Sequence, residues 1–150
     1  MLRVYRILTF LLFPFFLILI YLRVILKKED KIRYKEKIFS SAFRLNQNRG
    51  KKLIWFHASS IGELLSILPL VEEIRKSKKD INFLITTVTL SSAQLLEKRL
   101  NQYNNITHRY FPLDTKNLAE KFLDMWKPDL ACFVDSEIWP NFLFEIKKKK

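Results

Sequence analysis

Four short runs suited to buried strands, each followed by a polar turn and then a stretch with helical spacing, constrain this chain more than any other feature. They fall at residues 53–56, 82–87, 107–111 and 130–134, and runs of this length bounded by turn residues read as strands. After the first, Ile61, Leu64, Leu65, Leu68 and Val71 recur as they would on one face of a helix. Leu95, Leu96 and Leu100 follow the second run, and Leu118, Phe122, Leu123 and Trp126 follow the third. Strands alternating with helices require right-handed crossovers, so the expected fold class is α/β with a parallel, Rossmann-like sheet. Largely apolar strands suit a sheet covered on both faces.

The first strand–helix junction carries the chemistry. His57-Ala58-Ser59-Ser60 is small and polar, so the first strand is expected to stop at Phe56. Ser60-Ile61-Gly62-Glu63 has the form of a capping box, which predicts a helix from Ile61. That places the Glu63 carboxylate on a first helical turn at the carboxyl end of a strand, the edge where open α/β sheets bind ligands. Two readings stand side by side. Glu63 is either a cap satisfying free backbone N–H groups or a group that acts on a ligand. Gly62 favours the second, because glycine in a helical turn costs about 1 kcal/mol against alanine and is kept where something approaches the backbone.

The same edge collects more polar residues. Thr86-Thr87-Val88-Thr89-Leu90-Ser91-Ser92 is rich in hydroxyls, and Ser91 with Gln94 makes a second capping box. A helix start lined with hydroxyls either holds a phosphate or sugar or merely caps itself. Asp114, after Pro112, is expected to cap the third helix. Asp135 and Glu137 follow the fourth strand, and side chains two apart in extended chain share a side. They are either solvated helix caps or carboxylates converging on Glu63, which would push their pKa values apart. His57 is either a satisfied strand-end residue or a participant.

Charge separates the chain into parts. Residues 1–52 hold 13 Lys/Arg against 3 Asp/Glu, residues 53–146 hold 10 against 12, and four lysines end the chain. A nucleic-acid-binding domain carries its basic stripe on the folded part. Here the stripe flanks the apolar segment 7–22, which with Val24, Ile25 and Leu26 reaches the roughly 20 residues that cross a bilayer. No small-residue cleavage site follows it, so an uncleaved anchor is expected. Arg3 and Arg6 precede the segment and a heavier basic flank follows it, which puts the later residues on the cytoplasmic side. Spanning and shallow embedding both remain open, given Arg23 and Pro14. Residues 28–47 are expected to form an amphipathic helix on the bilayer. Two distant histidines and a single core-like Cys132 supply no zinc site. With only Gly50 and Gly62, the chain has neither a G-x-G-x-x-G dinucleotide fingerprint nor a P-loop.

His57-Ala58-Ser59-Ser60-Ile61-Gly62-Glu63 resembles the H-A-[AS]-S-[VI]-G-E segment of the Kdo transferases. Thr86-Thr87-Val88-Thr89 is similar to that family's T-T-x-T, and Phe111-Pro112-Leu113-Asp114 to its L-P-x-D. Asp135-Ser136-Glu137-Ile138-Trp139-Pro140-Asn141 resembles E-[ST]-E-[LI]-W-P-N, with aspartate for the first glutamate. Glu36-Lys37-Ile38-Phe39-Ser40 resembles E-R-[FLY]-G, with lysine for arginine and no glycine. The four longer matches keep the family's order and cover the chain.

The resemblance implies a GT-B glycosyltransferase moving 3-deoxy-D-manno-octulosonic acid (Kdo) from CMP-Kdo to a lipid A precursor, without metal or cofactor. It implies a membrane anchor over 1–28, a basic juxtamembrane segment over 29–52 and an acceptor-binding Rossmann-like domain over 53–150. The nucleotide sugar would belong to a further C-terminal domain. Glu63 aligns with the general base, Asp135 with a transition-state-stabilising carboxylate and Glu137 with its supporting partner. Ser59, Ser60, Gly62, Thr87 and Ser91 are the implied acceptor-binding residues. The implied partners are CMP-Kdo, the lipid acceptor and the membrane, with the location at the cytoplasmic face of a bacterial inner membrane. A non-catalytic membrane-tethered α/β module and a GT-B transferase for another lipid-linked acceptor are the competing classes.

Overall fold

The computed structural model describes residues 1–42, 50–100, 103–134 and 138–149. Helix α1 (Leu2–Ile25) is followed by two short 3₁₀ turns, Arg33–Lys37 and Ser40–Ala42. Then come β1 (Lys52–Ala58), α2 (Ile61–Ser77), β2 (Ile81–Thr87), α3 (Leu90–Leu100), β3 (Ile106–Tyr110), α4 (Lys116–Trp126), β4 (Leu130–Phe133) and α5 (Pro140–Lys149). The expected alternation is borne out. The chain divides into two compact units: Leu45–Phe111 with Lys127–Glu137, and Met1–Arg44 with Pro112–Trp126 and Ile138–Lys150.

The first of these units holds the sheet, with strands ordered β3-β2-β1-β4 and all described pairings parallel. This order reverses direction between β1 and β4, the switch point at which doubly wound sheets open a crevice beyond their strand ends. Phe56, Ala58, Phe83 and Ile85 pack with Leu64, Leu68 and Val71 of α2 and Leu96 and Leu100 of α3. Alternate residues face the other way, and there Trp55, His57, Leu84 and Thr86 are fully buried. Burial on both faces explains why these strands read as continuous runs rather than as alternating ones.

β1 runs to Ala58, two residues beyond the stop expected at Phe56. The imidazole is satisfied inside the sheet, so its polarity does not end the strand. Helix α3 also departs from expectation. Its N-terminus is closed by Thr89, whose Oγ1 accepts from Ser92 N at 3.2 Å and whose carbonyl accepts from Ala93 N. Ser91 lies inside the first turn.

The second unit is helical. α1 ends in a Schellman turn: Lys28 N donates to Arg23 O, Lys27 N to Val24 O, and Lys27 takes φ 58°. At its other end, Tyr5 Oη donates to Asp114 at 2.8 Å, and Arg6 bonds Asn141 and, at 2.7 Å, Glu145. Arg23 binds Glu29, which also takes Lys37 at 2.6 Å. Lys37 is buried, which pushes its pKa down, while Glu29 opposes the shift. Both ends of α1 are therefore tied to one folded unit. Among the described residues of 28–47 there is no continuous amphipathic helix; buried ion pairs and two 3₁₀ turns replace it.

Asp114 corrects a further expectation. Thr115, not Asp114, closes α4, by accepting from Leu118 N and Ala119 N. Asp114 instead accepts from Asn141 N and Phe142 N, the first turn of α5. Burial raises its pKa, against the lowering effect of those bonds and of Tyr5.

Candidate active site at the carboxyl edge of β1

The turn after β1 is built from its own sequence. Ser60 is the N-cap of α2, and its Oγ accepts from Glu63 N at 3.2 Å. The Glu63 carboxylate folds back, accepting from Ser60 Oγ at 2.7 Å and from Ser59 N at 2.8 Å. Glu63 is half-buried, while Ser60 and Gly62 are exposed. A carboxylate offers about four lone-pair sites, so capping leaves acceptor capacity for a ligand hydroxyl.

Gly62 has no steric need to be glycine. A methyl group there would meet only Ser60 Oγ, at 4.0 Å. The helix therefore carries an unfavourable residue that its own packing does not demand, and the bare first turn leaves room for an approaching ligand.

Beneath the turn lies a buried polar chain. His57 Nδ1 sits 3.3 Å from Thr86 O and 3.0 Å from Thr86 Oγ1. A carbonyl only accepts, so Nδ1 carries the proton. Nε2 is then an acceptor, and Ser59 Oγ lies 3.5 Å from it. Trp55 Nε1 donates to Thr86 Oγ1 at 2.9 Å, and Phe111 stacks on the imidazole with centroids 4.0 Å apart. Burial pushes the His57 pKa down to about 4, only partly offset by Thr86 and by Glu63. The ring is thus a neutral, fixed support for Ser59. Thr86 faces His57 across the parallel register, a pairing that no local sequence pattern announces.

The other site residues separate. Thr87 is buried, and its hydroxyl lies 2.9 Å from His108 Nε2. Ser91 is exposed, with its Oγ donating to Thr89 Oγ1 at 3.4 Å. β4 lies beside β1, with His57 opposite Phe133 and Val134 N donating to His57 O. Asp135 and Glu137 follow β4 in the chain and lie outside the described residues. No cluster of three potential metal-ligating side chains occurs among the described residues.

This geometry can hold a hydroxyl-bearing ligand against an oriented carboxylate. The sequence model of the 3-Deoxy-D-manno-octulosonic-acid transferase (kdotransferase) family matches residues 33–150. The chain belongs to this family. A 3-deoxy-D-manno-octulosonic acid transferase of Rickettsia bellii is 38% identical over 149 residues, covering 99% of this chain and 34% of that protein. The Rickettsia typhi protein of the same name is 30% identical over 186 residues, covering 97% of this chain and 40% of that protein. An Arabidopsis thaliana protein named "Probable 3-deoxy-D-manno-octulosonic acid transferase, mitochondrial" is 35% identical over 91 residues, covering 61% of this chain and 20% of that protein. The chain thus spans about a third of the length of the Rickettsia bellii relative. The parallel sheet described here agrees with the expected α/β class. α1 has the length and composition to cross a membrane, so it is able to serve as an anchor.

Proposed function

We propose that this chain forms the acceptor side of a Kdo transferase, presenting a lipid A precursor hydroxyl to Glu63 while CMP-Kdo is held by other residues. The observation that carries this reading is the Glu63 carboxylate. It is oriented by Ser59 N and Ser60 Oγ beside a first turn left bare at Gly62. As general base, Glu63 takes the proton from the acceptor hydroxyl as the new glycosidic bond forms, and CMP departs from the donor. Negative charge near the cationic reacting carbon favours that step, and Asp135 with Glu137 supplies it from the segment after β4. Ser59, Ser60, Thr87 and Ser91 are the acceptor-side residues of the same proposal.

The anchor reading follows from α1. A helix with both ends bound to one folded unit lies along the membrane face rather than across it, with its apolar outer side in the hydrocarbon boundary. The basic flank that follows is attracted to the anionic lipid of a cytoplasmic leaflet, which favours that face.

The test joins this chain to the part of the Rickettsia bellii relative that it does not match, and supplies CMP-Kdo with a lipid A precursor in membranes. A mass increase of the lipid by a Kdo residue is the expected product. An unmodified lipid, from a fusion shown to be folded and membrane-bound, would contradict the reading.

A further inference from the structure

The helical unit contains a space lined by none of the residues proposed above for the transfer reaction. A cavity of about 610 Å³ lies between α1, the turn around Ile38–Ser40 and the start of α4, within the range of small-molecule sites. Phe10, Phe13, Ile38, Phe39 and Leu118 form its apolar wall, and Arg6, Lys116, Asn117 and Glu120 are among its polar lining. A second cavity of about 360 Å³, lined by Leu17, Ile18, Leu22 and Tyr34, shares Ile38 and Phe39 with the first. The two line up along α1 on either side of those residues.

The outer face of α1 identifies the medium around them. Val4 is 69% exposed, Leu11 67% and Phe15 58%, an apolar surface that leaves water for hydrocarbon. An apolar-walled space beside that surface suits an acyl chain, since an empty one forfeits dispersion contacts on every wall. The polar lining has a different character. Arg6 is committed to Glu145 and Asn141. Lys116 is half-exposed and only 3.8 Å from Glu120, an ion pair of small worth that a stronger anion can displace.

We propose that this groove binds a glycerophospholipid of the surrounding bilayer. One acyl chain runs from Phe10 and Phe13 past Ile38 and Phe39 toward Leu17 and Leu22, and the phosphate meets Lys116 at the first turn of α4. Among the described residues that line the groove, one apolar path and one cation outside a short ion pair match one chain and one phosphate, and the bilayer supplies such a lipid in excess. The site is independent of the proposed transfer reaction.

The experiment reconstitutes the chain in phosphatidylglycerol–phosphatidylcholine vesicles doped with phosphatidylglycerol carrying a photoreactive diazirine on one acyl chain. Cross-linked peptides are then mapped by mass. Labelling is expected at Ile38–Ser40 and Leu118 as well as on α1. Thr9→Trp, which fills the cavity from α1, and Ser40→Trp, which fills it from the opposite wall, should each abolish labelling at Leu118. Vesicle co-sedimentation should be unchanged. Lys116→Glu should reduce labelling at Leu118 several-fold. Labelling confined to the outer residues of α1, or undiminished in both tryptophan variants, overturns the proposal. So does displacement of the label by stoichiometric lipid A precursor, which assigns the groove to the acceptor.

Discussion

Glu63 and Asp114 both accept backbone hydrogen bonds near the start of a helix, but in different settings. Glu63 serves its own helix, through Ser60 and through Ser59 N four residues away. Asp114 serves α5 from 27 residues away, and takes the Tyr5 hydroxyl as well. Asp114 is 6% exposed with its oxygens committed to donors of the protein, whereas Glu63 is half-buried on an open turn. A cap whose acceptor sites are consumed by the fold is structural. One with sites to spare can also do chemistry.

The largest effect that sharpens this contrast is on rate. In an active fusion containing this chain, Glu63→Gln keeps an amide oxygen for the cap but no base. Turnover should fall by about 10²–10⁴, while melting shifts by less than the ~1 kcal/mol of a lost cap. A variant retaining most of its turnover makes Glu63 a cap like Asp114. The converse change, Asp114→Ala, strands two N–H groups of α5 and the Tyr5 hydroxyl. At about 1–3 kcal/mol for each of the two buried N–H groups, it should cost about 2–6 kcal/mol in urea unfolding. A loss below about 0.5 kcal/mol, the range of ordinary surface changes, would break the contrast from the structural side.

His57 adds a smaller, pH-dependent effect. Its folded pKa lies below the ordinary value, near 4, so the unfolded chain takes up a proton first on acidification. Stability is therefore lost as pH falls below about 6.5, by about 1 kcal/mol at pH 5.5. His57→Gln should flatten that slope, and an unchanged slope would show that another group titrates. Smallest is Gly62→Ala, which should stabilise α2 by up to about 1 kcal/mol yet weaken acceptor binding. A variant that binds the acceptor as well as the parent removes the argument that the bare turn admits a ligand.

What could be read from the sequence was local. Ser60 and Glu63 lie three residues apart, so their mutual bonding follows from spacing, as do the strand–helix alternation and the start of α2 at Ile61. What depended on contacts far along the chain was hidden. His57 resembled a strand terminator because its partner Thr86 is on another strand. Asp114 resembled a cap for α4 because α5 is distant in sequence. Thr89 and Ser91 are both hydroxyl residues next to one helix start, and only the backbone path chooses Thr89. Residues 28–42 have apolar spacing that suits a helix, yet burial of Glu29, Glu36 and Lys37 in ion pairs settles the segment into 3₁₀ turns.

The central claim is that this chain takes the acceptor and leaves the donor to other residues. Calorimetry of the chain in lipid nanodiscs, titrated separately with a lipid A precursor and with CMP-Kdo, addresses it most directly. Saturable heat with the lipid precursor, weakened in Gly62→Ala, and none with CMP-Kdo is the expected result. Saturable CMP-Kdo binding without acceptor binding would contradict the account.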